Sequence, residues 1–302
     1  MAVGTGRGRV FVTGGTGYVG RAVAEAFRRA GHVVTGMVRS DAAAERLRVA
    51  GLGAVVADLR RPETYRHHAT AHDVVVHAAF EYDDAGNEVL ETESAAVETL
   101  LAACADAGAP RQLIYTSNAF LLGGMGVDPV DEDVVIDEER YASLPRLRME
   151  RRVLDAGTET LRTAAVRVGS VYGGNGGTFP GWFDLARRNG WMPLWGRGEN
   201  RWPLVYLDDL AELYLRIAER RATGVFHGAD GVPMTVAEVV RAAAAAAGCE
   251  VRQVGTEGVR DVLLRDVPVV PARARTLGWT PRFPSFREGA DAAFREWRAA
   301  ES

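Results

Sequence analysis

Short apolar runs alternate along this chain with stretches whose apolar positions recur three or four residues apart. The first run, Val10-Phe11-Val12-Thr13, reads as a buried parallel strand, and the stripe Val19, Val23 and Phe27 predicts a helix over Tyr18 to Ala30. Gly31 closes that helix, and His32 to Val38 is the next strand. Val55 to Asp58 follows as a third strand ending in a carboxylate, and Asp73 to His77 as a fourth that runs straight into Ala78 and Ala79. A helix around Ala95 to Ala107 leads into the fifth strand, Leu113 to Thr116, and Ala164 to Val168 is the sixth. This order predicts a parallel sheet with ligands at the carboxyl ends of its strands.

The pattern changes after Tyr172-Gly173-Gly174, where Gly176, Gly177 and Pro180 interrupt it and Trp182, Trp191, Trp195 and Trp202 fall close together. These rings either form a second small core or, with Phe80 and Tyr172, line a substrate cleft. Tyr206-Leu207-Asp208-Asp209-Leu210 opens another helix, Val225 to His227 is a short strand, and Val236 to Ala247 is an Ala-rich helix. Ser285 to Glu288 has capping-box spacing ahead of a terminal helix. The expected fold is α/β: residues 1–172 as a Rossmann-type doubly wound parallel sheet that binds a dinucleotide, and 173–302 mainly as a smaller C-terminal substrate-binding lobe, with 204–222 returning to the first domain.

Between the first strand and its helix stands Thr13-Gly14-Gly15-Thr16-Gly17-Tyr18-Val19-Gly20. Of Gly14, Gly17 and Gly20, one permits the tight turn, one lets backbone approach a pyrophosphate, and one lets helix pack closely on strand. The helix N-terminus then presents its N–H groups and positive dipole end to the phosphates. The second strand delivers Arg39 and Ser40 where the adenosine ribose is read. A basic residue there suits a 2′-phosphate, so Arg39 favours NADP, with NAD left open because Asp41 follows closely.

Composition sharpens the chemistry. All 36 Lys+Arg residues are arginine, which excludes any mechanism that needs a lysine. The net charge of -4 and the lack of a basic block argue against a nucleic-acid partner, and a small-molecule substrate is the expectation. Cys104 and Cys249 lack metal-ligand spacing, no apolar run reaches membrane-spanning length, and the first strand begins near Arg9. A cytoplasmic setting with no metal and no membrane partner is the expectation.

The glycine motif, with Asp58-Leu59, His77-Ala78-Ala79, Arg167-Val168-Gly169-Ser170-Val171-Tyr172-Gly173 and Val205-Tyr206-Leu207-Asp208-Asp209-Leu210, resembles the extended short-chain dehydrogenase/reductase superfamily in its NAD-dependent epimerase/dehydratase branch. The resemblance implies that Thr16, Gly17, Tyr18, Val19 and Gly20 meet the cofactor, and that Asp58 and Leu59 hold the adenine. It implies too that His77, Ala78, Ala79 and Val168 border the bound dinucleotide, and that Tyr115, Thr116 and Ser117 lie by the nicotinamide ribose. It suggests a homodimer as well.

Catalysis in that superfamily uses Ser/Thr, Tyr and Lys, with Tyr and Lys spaced Y-x-x-x-K on one helix. Here the hydroxyl position falls on Asn118, the nearby tyrosine is Tyr141, and four residues later stands Pro145, with Arg146 one step out of register. Either one helix carries both groups on different faces, or Pro145 starts the helix later and leaves Tyr141 on a loop that still reaches inward. Three functions follow. The first is an NADP(H)-dependent oxidoreductase or epimerase on a carbonyl-bearing sugar, aromatic or polyketide metabolite, with Tyr141 as acid, Asn118 polarising the carbonyl and Arg146 supplying charge. The second is a non-redox lyase, isomerase or cyclase on the same fold. The third is a non-catalytic dinucleotide sensor.

Overall fold

The computed structural model describes residues 7–81, 89–125 and 128–301. The chain opens with β1 (Arg9–Thr13), α1 (Tyr18–Arg29), β2 (Val33–Val38), α2 (Asp41–Val49), β3 (Gly53–Val56), α3 (Arg66–Ala71) and β4 (Val74–His77). It continues through α4 (Leu90–Ala105), β5 (Arg111–Asn118), α5 (Glu138–Ser143), α6 (Pro145–Asp155) and β6 (Leu161–Val168). Next come β7 (Ser170–Tyr172), α7 (Phe179–Asn189), β8 (Trp191–Trp195), β9 (Arg201–Trp202), β10 (Leu204–Tyr206) and α8 (Leu207–Glu219). The remaining elements are β11 (Gly224–Gly228), β12 (Met234–Thr235), α9 (Val236–Ala247), β13 (Glu250–Val254), α10 (Ala272–Thr276) and α11 (Phe286–Ala300).

The expected doubly wound parallel sheet is present, seven strands in the order β11-β6-β5-β4-β1-β2-β3. The chain winds outward from β1 through β2 to β3, then crosses to β1's other side to lay down β4. Thr13 and His77 are paired in register at the carboxyl ends of β1 and β4. That reversal of winding is where an open parallel sheet forms its ligand crevice. The β1 residues Val10, Phe11 and Val12 are fully buried, whereas β3 is half exposed, as befits a strand at the sheet's edge.

Two compact units divide the chain. The first comprises residues 1–117, 136–166 and 211–225, and the second 118–135, 167–210 and 226–302. In the first, Phe11, Tyr65, Val97, Leu100, Leu113, Tyr115 and Val153 share one core. In the second, Tyr172, Phe179, Trp182, Trp202 and Phe286 are buried together, with Phe179 and Phe286 stacked at 4.6 Å and Trp182 and Trp202 at 5.8 Å. Trp202 anchors its indole N–H on the Leu263 carbonyl.

Local details differ from the sequence reading where side chains chose other partners. The third strand stops at Val56, so Ala57 and Asp58 lie in the loop beyond it, and α4 begins at Leu90 rather than near Ala95. Ser285 precedes α11, but its hydroxyl bonds the Glu288 carboxylate and caps no backbone amide. A complete capping box forms instead at α9, between Thr235 and Glu238. Asp209, in the first turn of α8, accepts the Arg282 and Phe283 amides and so ties down the loop before α11.

The second unit also holds Asp230, 2% exposed, whose carboxyl is pushed up to about 8 by burial and by Asp209 and Glu288, against bonds from the Val232 and Gly231 amides. An aspartate that ionises near 3.8 when unfolded and near 8 when folded releases its proton on unfolding anywhere in that window. Stability is therefore greatest below the lower value and falls as pH rises through the higher one. Asp230→Asn keeps an acceptor for the Val232 amide. Paired melting curves are expected to show a higher midpoint than wild type at pH of about 8 and near-equality at about 4.

Candidate active site

The glycine turn shows why its residues are small. Gly14 has φ of +71°, and a Cβ on Gly20 would lie 2.3 Å from the Gly14 carbonyl oxygen. Gly17 precedes α1 without a side-chain cap, and the first turn of that helix carries no acidic residue. Its positive end is thereby left to an anion. Here opens a cavity of about 550 Å³, lined by the glycine turn from Thr16 to Gly20, by Arg39, by Asp58 and Leu59, and by Ala78, Ala79, Phe80 and Thr116. The uncapped helix end and the cradle that a Cβ would fill fit a dinucleotide.

Thr13 holds the far wall. Its Oγ1 accepts the Ala78 and Ala79 amides at 3.0 and 3.1 Å, so its own proton goes to His77 Nδ1 at 2.8 Å. His77 then carries its proton on Nε2, 3.4 Å from Glu93 Oε2, while Glu93 Oε1 accepts the Tyr115 hydroxyl at 2.8 Å. Burial pushes the Glu93 carboxyl up, but His77, Arg146 and the Tyr115 hydroxyl outweigh it and hold the group below its ordinary value. Burial and the Glu93 charge raise Tyr115 well above the usual phenol range.

Strand alternation sorts the end of β5. Thr116 reaches the cavity and bonds the Tyr214 hydroxyl of α8 at 2.8 Å. Tyr115 and Ser117 point to the opposite side, Ser117 donating to the fully buried Glu150 carboxylate of α6 at 2.6 Å. His77, Tyr115 and Ser117 are thus buried supports beneath the cavity rather than its lining. Ser40 spends its hydroxyl capping α2 through the Ala43 amide. Val168, in the second unit, is also outside the cavity lining.

Tyr141 and Arg146 do not share a helix. Leu144 breaks the chain between α5 and α6, and Pro145 takes the first position of α6, where its missing N–H does no harm. Tyr141 sits on α5 with the Arg151 guanidinium 5.0 Å from its ring centre. Arg146, 7% exposed, lies over the Phe80 ring at 3.8 Å, with Nη1 3.5 Å from the Thr116 carbonyl. A fixed positive charge therefore adjoins two cavity-lining residues in a chain without lysine. In the second unit Asn118 accepts the Phe120 amide on Oδ1 at 2.9 Å.

Of the aromatic residues expected at the substrate, Phe80 lines the cavity. Tyr172, Trp182 and Trp202 are 0, 2 and 1% exposed, and their neighbours occupy the faces a ligand ring would use; the packing alternative describes these three. Trp191 and Trp195 are half-buried, Trp191 under the Arg252 guanidinium. Met37, Val38, Ala57, Arg60 and Glu81 also line the cavity, each one or two positions from a residue that the sequence motifs mark. No group of His, Cys, Asp and Glu among the described residues is arranged to hold a metal ion. No helix among them is long and apolar enough to cross a membrane.

A parallel sheet with a glycine turn and a cavity at its switch point defines a Rossmann-type dinucleotide-binding fold. Residues 10–227 match the NAD dependent epimerase/dehydratase family. The chain belongs to that family. It is 30% identical, over 75% of its length and 69% of the relative's, to a 4-hydroxy-2-methyl-3-oxo-4-farnesyl-3,4-dihydroquinoline-1-oxide ketoreductase of Stigmatella aurantiaca. It is 28% identical, over 80% of its length and 76% of the relative's, to a 2-alkyl-3-oxoalkanoate reductase of Stenotrophomonas maltophilia. A human epimerase family protein crystallised with NADPH shares the fold at a TM-score of 0.74 and 23% identity, covering 96% of this chain and 99% of the other.

Proposed function

We propose that this protein is an NADP(H)-dependent oxidoreductase that reduces the ketone of a small organic metabolite. The observation that carries the reading is the cavity itself, with Arg39 among the residues after β2 and the Arg146-backed Phe80 and Thr116 also in its lining. The reductase names of the two relatives support a carbonyl substrate. When bound, the nicotinamide supplies a hydride to the carbonyl carbon, and the oxygen then needs a proton. Tyr141 is the proposed donor of that proton, Arg146 the fixed charge that takes the place of lysine, and Asn118 a donor to the carbonyl oxygen. Arginine meets this need with a planar, permanently charged group, and that of Arg146 lies over the Phe80 ring.

The test is consumption of NADPH with a panel of β-keto esters and aromatic ketones. The reading predicts loss of nicotinamide absorbance matched by alcohol product, and a rate lowered at least about 100-fold in Tyr141→Phe. Product formed at full rate without any cofactor contradicts it. Arg39 carries the choice of cofactor. Arg39→Ala is expected to weaken NADPH by about 10- to 100-fold, the loss of a charge-assisted contact, and to leave NADH within about twofold, measured by fluorescence titration.

A further inference from the structure

Arg60 stands in the same cavity lining as Arg39, but its surroundings are of another kind. Its guanidinium meets Asp58 along one edge, Nε to Oδ1 at 3.2 Å and Nη2 to Oδ2 at 3.0 Å, and its backbone amide donates to the same Oδ1 at 2.9 Å. Glu81, on the loop after β4, brings Oε1 to 3.4 Å from Nε. The side-chain and backbone bonds from Arg60 hold the Asp58 carboxyl below its usual range, and Arg39 acts on it in the same direction. Both arginines line the cavity, and the Asp58 carboxylate is bonded by Arg60.

A guanidinium binds anions through its edge and aromatic rings through its faces. Asp58 and Glu81 occupy the Nε–Nη2 edge of Arg60, and the Nη1 end is left beside the planar faces. Its planar faces remain, in a plane fixed by two carboxylates from two loops. The residue is otherwise an exposed arginine, 60% open to solvent, with the rotamer freedom such residues ordinarily keep. From this geometry we propose that Arg60 is a stacking platform for the adenine ring, held flat by Asp58 and Glu81 and indifferent to the 2′ substituent, which is left to Arg39. The inference rests on the dinucleotide reading above.

The test is equilibrium titration of wild type, Arg60→Ala, Glu81→Gln and Arg39→Ala with NADPH, NADH and reduced nicotinamide mononucleotide, which lacks adenine. Arg60→Ala is expected to weaken NADPH and NADH alike by about tenfold and to leave the mononucleotide unchanged. Glu81→Gln is expected to weaken both dinucleotides by about two- to threefold, through a less ordered platform. Arg39→Ala discriminates between the dinucleotides. Because the Arg60 pairs are exposed, the melting midpoint of the cofactor-free variants stays at the wild-type value, which separates the effect from misfolding. A loss confined to NADPH in Arg60→Ala would make Arg60 an anion ligand and overturn the platform, as would unchanged binding of both dinucleotides. Wild type that binds neither dinucleotide removes the parent reading and the platform with it; wild type that binds both while Arg60→Ala is silent removes the platform alone.

Discussion

Gly20→Ala is expected to abolish measurable dinucleotide binding, a loss of at least about 100-fold, and to lower stability by about 2–3 kcal/mol. The added Cβ would sit 2.3 Å from the Gly14 carbonyl oxygen and 3.0 Å from its carbon, and both are backbone atoms that cannot rotate aside. Either α1 moves away from β1 or the turn at Gly14 changes, and each displaces the helix end from the phosphates. Gly181→Ala is the control, because a Cβ at that exposed site on α7 meets nothing within 4 Å. It is expected to stabilise by about 0.5–1 kcal/mol without touching cofactor affinity. Urea unfolding and fluorescence titration of both variants check the pair. Unaltered NADPH affinity in Gly20→Ala would mean that the phosphates do not sit over α1.

Arg146→Ala is the second large effect. Arg146 is 7% exposed, and its charge helps hold the buried Glu93 carboxyl ionised. Its loss leaves that carboxylate under-compensated, for a cost on the order of 3 kcal/mol, and unbacks the Phe80 ring. Ketone reduction is expected to fall at least about 100-fold in kcat. Arg146→Lys separates charge from shape. It restores the positive group but not the flat face over Phe80, so stability returns to within about 1 kcal/mol of wild type while kcat recovers only in part. Equal kcat in the alanine variant and wild type would remove Arg146 from the chemistry. Equal stability as well would show that its charge is not needed by its neighbours.

What the sequence made legible was whatever backbone periodicity and glycine placement dictate. The runs at Val10, His32, Asp73 and Leu113 became β1, β2, β4 and β5 in parallel register, because apolar runs between helical stripes have few other places to go. Gly14, Thr16 to Gly20, Arg39, Asp58, Leu59, Ala78 and Ala79 meet in one cavity for the same reason: each follows the carboxyl end of one of the parallel strands β1 to β4. The side chains of His77, Tyr115 and Ser117 were less legible. Their direction is set by partners distant in sequence, Thr13, Glu93 and Glu150, which no local pattern announces. Likewise nothing in the spacing of Trp182 and Trp202 distinguishes a ring packed against a core from one lining a cleft. Pro145 did announce a break, but the separate helix that carries Tyr141 depends on the Asp137 cap preceding it. Arg60 follows Asp58-Leu59 directly, but its setting is not legible in the sequence because it depends on Glu81, on another loop.

The central claim is that hydride moves in a site without lysine. It is tested most directly by supplying NADPH deuterated at the nicotinamide C4 position, on each face in turn, with a ketone that the protein consumes. The account predicts that the deuterium from one face, and not the other, appears on the carbinol carbon of the product, one label per cofactor oxidised. Product that carries no label from either face, or that forms equally well with no cofactor present, would contradict it.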